Sequence, residues 1–256
     1  MHKVLWLTDP HLVEPDWTTS QAPTEAWQRF RLCLDEIRRE HTDAELLVLT
    51  GDLVHMNNPG AYALLREELE RLPMPYRLLV GNHDDRAALH EAFPDISVVG
   101  DFLQGSDDIG ETRLIYLDTQ AAQGHHGELC SFRLDWLAAQ LKEASERPVL
   151  LFLHHPPMEI GVPALDKLRL LESDGLRALL QSRRAPTHLF CGHVHRNVSG
   201  RWSGHPFATL KSTNTQFAFD MRASRLTRGE ESPGYGVLLF DDGRLIVNYV
   251  DTPIDR

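Results

Sequence analysis

Hydrophobic positions along the chain alternate between short continuous runs and runs with helical spacing. The continuous runs predict strands at Val4–Leu7, Leu46–Thr50, Tyr76–Val80, Thr112–Leu117, Val149–Leu153 and His188–Cys191. Apolar residues at three- and four-residue steps predict helices at Pro23–Glu40, Ala61–Leu72, Arg86–Phe93, Asp135–Glu146 and Gly175–Gln181. After Val198 the pattern is mostly β and ends in a hairpin with an Asp-Gly turn. Alternating units with an antiparallel tail predict an α/β fold of two packed sheets flanked by helices.

The chain shows no internal repeat, low-complexity tract or linker. We therefore expect one domain over residues 1–256, a length that allows a sizeable buried core. The least regular stretch is Gly204–Pro233, which we expect to be an excursion over the functional site, as a cap or an oligomerisation segment.

Composition narrows the class of protein. The chain is 42% hydrophobic and 25% charged, as in ordinary globular proteins, and its apolar runs are too short to cross a bilayer. The first residues read as a strand rather than a signal peptide, so we expect a cytoplasmic protein without a membrane partner. A formal net charge of −11 disfavours binding to a nucleic acid polymer.

Polar side chains follow every predicted strand of the α/β part. In α/β folds, functional side chains gather beyond the carboxyl ends of strands. The chain places there Asp9 and His11 in TDPHL, Asp52 in TGDLV, Asn82, His83 and Asp84 in GNHD, His154 and His155 in FLHHPP, and His193 and His195 in CGHVH.

The chemistry of this set points to metal ions. Aspartate, histidine and an amide, without thiolate, suit manganese, iron, cobalt or zinc. The candidate ligands are Asp9, His11, Asp52, Asn82, His154, His193 and His195. Seven ligands are more than one small ion coordinates comfortably, but they suffice for two ions if one carboxylate bridges them. Taken singly, each motif is also explained as a solvated turn, an Asx-type turn or a buried histidine pair. All five in this order at successive strand ends favour a two-metal site.

The ordered set DxH, GD, GNHD, HxP and GHxH resembles the calcineurin-like metallophosphoesterase superfamily, from Asp9 to His195. Within it, the chain looks like the bacterial class III phosphodiesterases, which hydrolyse cyclic nucleotides and glycerophosphodiesters. Supporting stretches are GNHDDRAALHEAFPD, HHGELCSFRLDWLAAQL and KSTNTQFAFD. The resemblance implies a four-layer αββα sandwich of two mixed β-sheets flanked by helices, a metallo-dependent phosphatase type of fold with a binuclear site, and a homo-oligomer.

The same resemblance implies a division of the ligands. One ion would take Asp9, His11, Asp52 and His195, and the other Asp52, Asn82, His154 and His193, with Asp52 as the bridge. His83 would be the catalytic histidine, binding no metal, that stabilises the transition state or helps the leaving oxygen depart, and Asp84 would orient it. His154 is preferred over His155 because the family pattern is HxP.

The motifs and charge of this chain differ from those of two other branches of the superfamily, and the differences narrow the class of substrate. Protein serine/threonine phosphatases carry GDxVxRG and GNHE, whereas this chain has GDLVHMNNPG and GNHD. Nucleases of the superfamily add basic surfaces, which this acidic chain lacks. We therefore expect a small-molecule phosphodiester as substrate.

The resulting hypothesis is a metal-dependent phosphoric diester hydrolase. Two neighbouring ions can activate a bridging hydroxide for in-line attack on phosphorus. The substrate would be 3′,5′-cyclic AMP, a 2′,3′-cyclic nucleotide or a glycerophosphodiester. Candidate substrate contacts are His55, Asn57 and His155, each of which has a purely structural alternative. Two rival functions are a phosphomonoesterase and a non-catalytic binding scaffold of the same fold.

Overall fold

The structure, a computed structural model, describes residues 1–17, 25–56, 58–222, 225–241 and 243–254. Its helices are α1 (Ala26–Glu40), α2 (Ala61–Leu69), α3 (Arg86–Ala92), α4 (Ser131–Ala144), α5 (Pro163–Asp166) and α6 (Asp174–Gln181). Its strands are β1 (His2–Leu7), β2 (Leu46–Leu49), β3 (Tyr76–Leu78), β4 (Val98–Val99), β5 (Phe102–Leu103), β6 (Gly105–Ile109), β7 (Thr112–Leu117), β8 (Val149–Leu153), β9 (Thr187–Cys191), β10 (Val198–Trp202), β11 (His205–Thr209), β12 (Gln216–Phe217), β13 (Arg228–Gly229), β14 (Gly234–Asp241) and β15 (Arg244–Asp251). Pro23 and Asn57, both part of the predictions above, lie outside the described residues.

Two mixed sheets form the centre of the fold. The first has the order β15-β14-β1-β2-β3, in which β1, β2 and β3 are parallel and the C-terminal hairpin is antiparallel. The second has the order β10-β11-β9-β8-β7-β6, with four parallel strands between two antiparallel edges. The parallel strands of each sheet therefore present their carboxyl ends at a common edge.

Alternating burial along the strands creates four layers. In β1, Val4 and Trp6 face the second sheet, whereas Leu5 and Leu7 face helices α1 to α3. In β8, Leu150 and Phe152 face the first sheet, while the alternate residues face α4 and α6. A strand that is buried on both faces reads as a continuous apolar run, which is why these strands were predictable. The predicted αββα sandwich is confirmed.

The differences from the predicted elements have local causes. Strand β6 has the polar sequence GSDDI and is half-exposed at a sheet edge, so no apolar run marked it. Helix α4 begins at Ser131, before the predicted Asp135; Phe132 in its first turn is exposed, so helical spacing of buried residues did not mark that turn. The stretch Gly204–Pro233 is more regular than expected, since it contains β11 and the two-stranded ribbon of β12 and β13.

Helix lengths bear on membrane insertion. Among the described residues, no helix is both long enough and apolar enough to cross a bilayer.

Candidate metal centre

Loops from five strand ends converge at one edge of the sandwich. The loop after β1 reaches the loop after β9, where the His193 backbone N–H donates to both carboxylate oxygens of Asp9, at 3.1 and 2.9 Å. His195 Nε2 lies 3.3 Å from Asp9 Oδ1 and 3.0 Å from His11 Nε2. Side chains 184 positions apart in the sequence are therefore in direct contact.

Asp52 lies at the middle of the cluster. Its Oδ2 atom is 3.5 Å from His11 Nε2 and also 3.5 Å from His154 Nε2. Its second oxygen, Oδ1, accepts the backbone N–H of His83 at 2.8 Å. On the far side, Asn82 Oδ1 lies 3.3 Å from His154 Nε2. One carboxylate oxygen thus faces two groups of potential ligands.

Hydrogen bonds orient two of the imidazoles toward the centre. His154 Nδ1 donates to the Thr50 carbonyl at 2.7 Å, and His195 Nδ1 donates to the Thr215 carbonyl. A proton held at Nδ1 leaves the Nε2 lone pair available, as in histidines that bind metal. His193 Nε2 is buried and has no hydrogen-bond partner among the described residues. These inward-facing oxygen and nitrogen atoms fit divalent metal ions.

Burial and the carboxylates act in opposite directions on these histidines. Burial, followed by repulsion from His154, lowers the pKa of His193 to about 3, and burial holds the pKa of His11 well below its usual range. Burial disfavours the charged form of His154 as well, but Asp52, Asp9 and the Thr50 carbonyl together outweigh it and raise the pKa to about 9. Metal binding requires neutral imidazoles, so an ion bound here would take the place of the proton that the carboxylates favour on His154.

The backbone at the site is unusually strained. Eight non-glycine residues in the described chain have left-handed φ values, and five of them are the predicted ligands Asp9 (52°), His11 (44°), Asp52 (51°), His193 (70°) and His195 (51°). Such conformations cost about 1–3 kcal/mol each and persist only where the surrounding structure imposes them. The strain turns these side chains toward a common centre.

Three glycines make room for the centre. A methyl group on Gly81 would lie 2.2 Å from Asp52 Oδ1, and one on Gly192 would lie 2.3 Å from Thr8 Oγ1. Gly51 has φ +93°, and a methyl there would lie 2.7 Å from His154 Nδ1. The glycines of GD, GNHD and GHVH are therefore needed for close packing as well as for turns.

The hydrogen-bond partners of Asp84 differ from His83, the partner that we predicted from the sequence. We predicted that it orients His83, but its carboxylate accepts the backbone N–H groups of Gly81 and Leu53, at 2.8 and 3.0 Å, and the Tyr62 hydroxyl at 2.9 Å. His83 Nδ1 is buried without a hydrogen-bond partner among the described residues. Asp84 therefore ties the GD loop to the GNHD loop, because its position below both loops brings it closer to their amides than to the imidazole.

A cleft of about 340 Å³ opens above the predicted ligands. His83 lines it with its ring 4.7 Å from that of His11, and His55 lines it 5.2 Å from His83. His155 is fully buried, and its Nδ1 lies 2.9 Å from the Thr119 hydroxyl. The structure thus places His155 beneath the centre, where it packs on His193 instead of contacting substrate. Asn57 lies outside the described residues.

The stretch after β11 supports the site from below and also walls the cleft. Ser212 Oγ donates to the Asp9 carbonyl at 2.6 Å, and Asn214 Nδ2 donates to the Pro10 carbonyl at 3.1 Å. We predicted that this region passes over the site. The part of it that lines the cleft includes Phe217 and Leu226.

Sequence reasoning missed Gln120 and considered His125 only as a possible substrate contact or a solvated loop residue. Gln120 Nε2 donates to the carbonyls of Gly81 and Asp84, at 2.7 and 2.6 Å, and so holds the GNHD loop. His125 Nδ1 lies 3.0 Å from Asn82 Nδ2. No motif marks Gln120, whereas the double histidine in HHGEL was the available signal for His125.

Comparisons with known proteins agree with this geometry. Residues 2–197 match the model of the calcineurin-like phosphoesterase family, and the chain belongs to that family. A probable cyclic nucleotide phosphodiesterase of Rhodopseudomonas palustris is 35% identical over 226 residues, covering 86% of this chain and 82% of the relative. The 3′,5′-cyclic adenosine monophosphate phosphodiesterase CpdA of Escherichia coli is 31% identical over 245 residues, covering 95% and 87%.

A solved structure shares the fold. A dimetal phosphatase from Danio rerio superposes with a TM-score of 0.73 at 15% identity, and the match covers 98% of this chain and 96% of the other. At that identity the likeness establishes the fold alone.

Proposed function

We propose that this protein is a phosphodiester hydrolase that uses two metal ions and acts on a cyclic nucleotide. The observation that carries the proposal is that Asp52 Oδ2 lies 3.5 Å from both His11 Nε2 and His154 Nε2, which belong to the two ligand sets. The relatives named as cyclic nucleotide phosphodiesterases support the substrate class.

The ligands divide into two sets around Asp52. One ion would be held by Asp9, His11, Asp52 and His195, whose ligand atoms all lie within 4.8 Å of one another. The other would be held by Asp52, Asn82, His154 and His193. When bound, such ions supply Lewis-acid activation of water and neutralise charge on the phosphoryl oxygens. The oxygen and nitrogen ligands suit manganese, iron, cobalt or zinc.

The protein's own groups act on the leaving oxygen and on the substrate base. His83 lines the cleft, and burial lowers its pKa, so that its neutral imidazole can hold a hydrogen bond to the departing oxygen. Phe217 stacks on His195 at 4.5 Å and offers an apolar wall to a nucleobase.

Rates on matched chromogenic esters test the proposal. Bis-p-nitrophenyl phosphate should be hydrolysed faster than p-nitrophenyl phosphate, and a chelator should remove the activity until metal is restored. A panel of 3′,5′-cyclic AMP, 2′,3′-cyclic AMP and glycerophosphocholine with each of the four metals then identifies the substrate. Faster hydrolysis of the monoester would replace the proposal with a phosphomonoesterase, and less than one bound ion per chain after reconstitution would favour a binding scaffold.

Variants assign the roles of the GNHD residues. His83→Ala should lower kcat about 10²–10⁴-fold while metal content stays unchanged, because the imidazole acts on the leaving group. Asn82→Ala should lower both activity and metal content. His90→Ala changes an exposed histidine of α3 and serves as the control. Full activity of metal-loaded Asn82→Ala and His83→Ala would refute the assignment.

A further inference from the structure

The cleft above the metal centre contains two histidines that neither ligand set uses. His11, His55 and His83 each carry a ring nitrogen, and these three atoms all lie within 4.8 Å of one another. His11 Nε2 lies 3.5 Å from Asp52 Oδ2 and is assigned to the first ligand set. His55 and His83 belong to neither set, and we call these two residues the outer pair.

One nitrogen of each ring in the outer pair is buried, and the other is open to the cleft. In both rings Nδ1 is buried and has no hydrogen-bond partner among the described residues. Both side chains line the cleft, and in neither ring is Nε2 buried or hydrogen-bonded to a residue that the structure describes. The two Nε2 atoms are therefore the ring nitrogens that a solute in the cleft can reach.

The backbone and packing fix the positions of both rings. The His55 N–H donates to the Leu12 carbonyl at 2.8 Å, and its ring packs edge-on against Trp17 with the centroids 5.3 Å apart. The His83 N–H donates to Asp52 Oδ1 at 2.8 Å. The two rings of the outer pair lie 5.2 Å apart. The pair is thus held together before a ligand binds, which lowers the cost of binding.

Two neighbouring imidazoles suit a zinc ion. Bonds of about 2.0–2.1 Å place two histidine nitrogens on a tetrahedral zinc ion roughly 3.3 Å apart. Nitrogens that already lie within 4.8 Å of one another need only a small ring rotation to share one ion. Water would complete the coordination, because the cleft is open above the pair.

The outer pair lacks the support that the predicted ligands have. At the metal centre, Nδ1 of His154 and Nδ1 of His195 donate to backbone carbonyls. Nδ1 of His55 and Nδ1 of His83 have no such acceptor among the described residues. Outer partners of this kind change metal affinity about 10–100-fold. An ion on the outer pair should therefore bind more weakly than the two ions of the centre and after them.

We propose that the outer pair is a third metal site, at which zinc inhibits the enzyme. Zinc on His83 Nε2 takes that imidazole away from the leaving oxygen, and the ion occupies space in the cleft that the substrate needs. The inhibition rests on the proposed function, whereas binding of the third ion does not. The chain would be active at low zinc concentration and inhibited at high zinc concentration.

Equilibrium dialysis against zinc, followed by elemental analysis, counts the bound ions. At excess zinc the parent chain should bind one ion more per chain than His55→Phe, which keeps an aromatic ring against Trp17 but has no ring nitrogen. His90→Phe makes the same exchange at an exposed position of α3 and should bind as many ions as the parent chain.

Two further variants test the count by other routes. His55→Ala, with its folding checked by a thermal melt, should show the same deficit of one ion. His83→Ala should also lack the ion that is added at excess zinc, while it keeps the two ions of the centre. Each result is a difference between chains, so it does not depend on whether the centre is active.

Inhibition is measured by comparing each chain with itself at low and at excess zinc, with bis-p-nitrophenyl phosphate as substrate. Saturation of the third site should lower kcat of the parent chain at least about 10²-fold, because an imidazole acting on the leaving group contributes about 10²–10⁴-fold. In His55→Phe the zinc concentration for half inhibition should rise at least about tenfold, since a lost ligand weakens binding at least as much as a lost outer partner.

The ion counts and the inhibition separate the outcomes. Equal numbers of bound ions in His55→Phe and His90→Phe would overturn the third site. Equal zinc concentrations for half inhibition in these two variants would overturn its inhibitory role. A deficit of one ion in His55→Phe, found in a chain that hydrolyses no diester, would support the third site and refute the proposed function.

Discussion

The two ends of the sandwich use charged residues in different ways. At the carboxyl ends of the parallel strands, buried carboxylates and imidazoles face one another, and the backbone that carries them is left-handed at five positions. At the other end, arginines predominate, and Arg183 donates to backbone carbonyls, one of them that of Ser145, which is itself left-handed. The comparison teaches that inward-facing carboxylates and imidazoles on left-handed backbone, more than strain or charge alone, distinguish the proposed catalytic end.

The largest effect should come from the carboxylate shared by both ligand sets. Asp52→Ala should lower activity by about 10³-fold or more, because several kcal/mol of transition-state stabilisation by the ions would be lost. Bound metal, measured by elemental analysis, should fall in parallel. Asp35→Ala, which changes an exposed residue of α1, should leave both unchanged. Two ions and full activity in Asp52→Ala would contradict the bridging position.

Glycines at the two ends should respond differently to alanine. Gly81→Ala places a methyl group 2.2 Å from Asp52 Oδ1 and should lower activity about 10²-fold, since a displacement of about 1 Å costs that much. Gly204, at the opposite end, has φ +90° and no atom within 4 Å of an added methyl.

Gly204→Ala should therefore lower the free energy of unfolding by about 1 kcal/mol and leave activity per folded molecule unchanged. Denaturant melts and kcat measured on the same samples separate the two effects. Equal loss of activity in both variants would remove the distinction between the ends.

A smaller effect on activity is expected from replacing Asp84, which joins two loops. Asp84→Asn puts an amide donor among the N–H groups of Gly81 and Leu53, so stability should fall by about 1–3 kcal/mol and activity about tenfold. Asp85→Asn is the control, because Asp85 caps α3 by accepting from Ala88 N and asparagine caps equally well. Unchanged thermal stability in Asp84→Asn would show that its contacts do not hold the loops.

The smallest effect on activity should come from the arginines at the opposite end. Arg183→Met removes donors from the carbonyls of Leu141 and Ser145 and should lower stability by about 2–3 kcal/mol, with activity per folded molecule unchanged. Its neighbour offers the control, since Arg184→Met breaks no bond to a described residue and should melt like the parent chain. A loss of kcat in Arg183→Met would link the two ends.

Some features of the site were accessible from sequence because they are local. Histidine and aspartate stood immediately after apolar runs, and side chains at the ends of parallel strands meet at one sheet edge. Strands buried on both faces, such as Val149–Leu153, were recognisable from composition alone. Strand β6 was not, because a half-exposed edge strand carries no such signal.

Other features depended on contacts between distant segments. Gln120 supports a loop that lies 36 to 39 positions away in the chain, and the carbonyls of Thr50 and Thr215 orient histidines from other strands. Any residue supplies a carbonyl, so no residue type predicts such a partner. The position of Asp84 was misread for the same reason, since proximity in sequence to His83 did not decide which atoms its carboxylate meets.

The amino-acid sequence by itself determined the layered α/β architecture and the identity of the side chains at each strand end, because both follow from local patterns of burial and chemistry. Tertiary structure decided which oxygen of Asp52 faces two groups of histidines and which imidazole lies beneath the centre. Those outcomes depend on distances between residues far apart in the chain, and only the packing of the two sheets sets such distances.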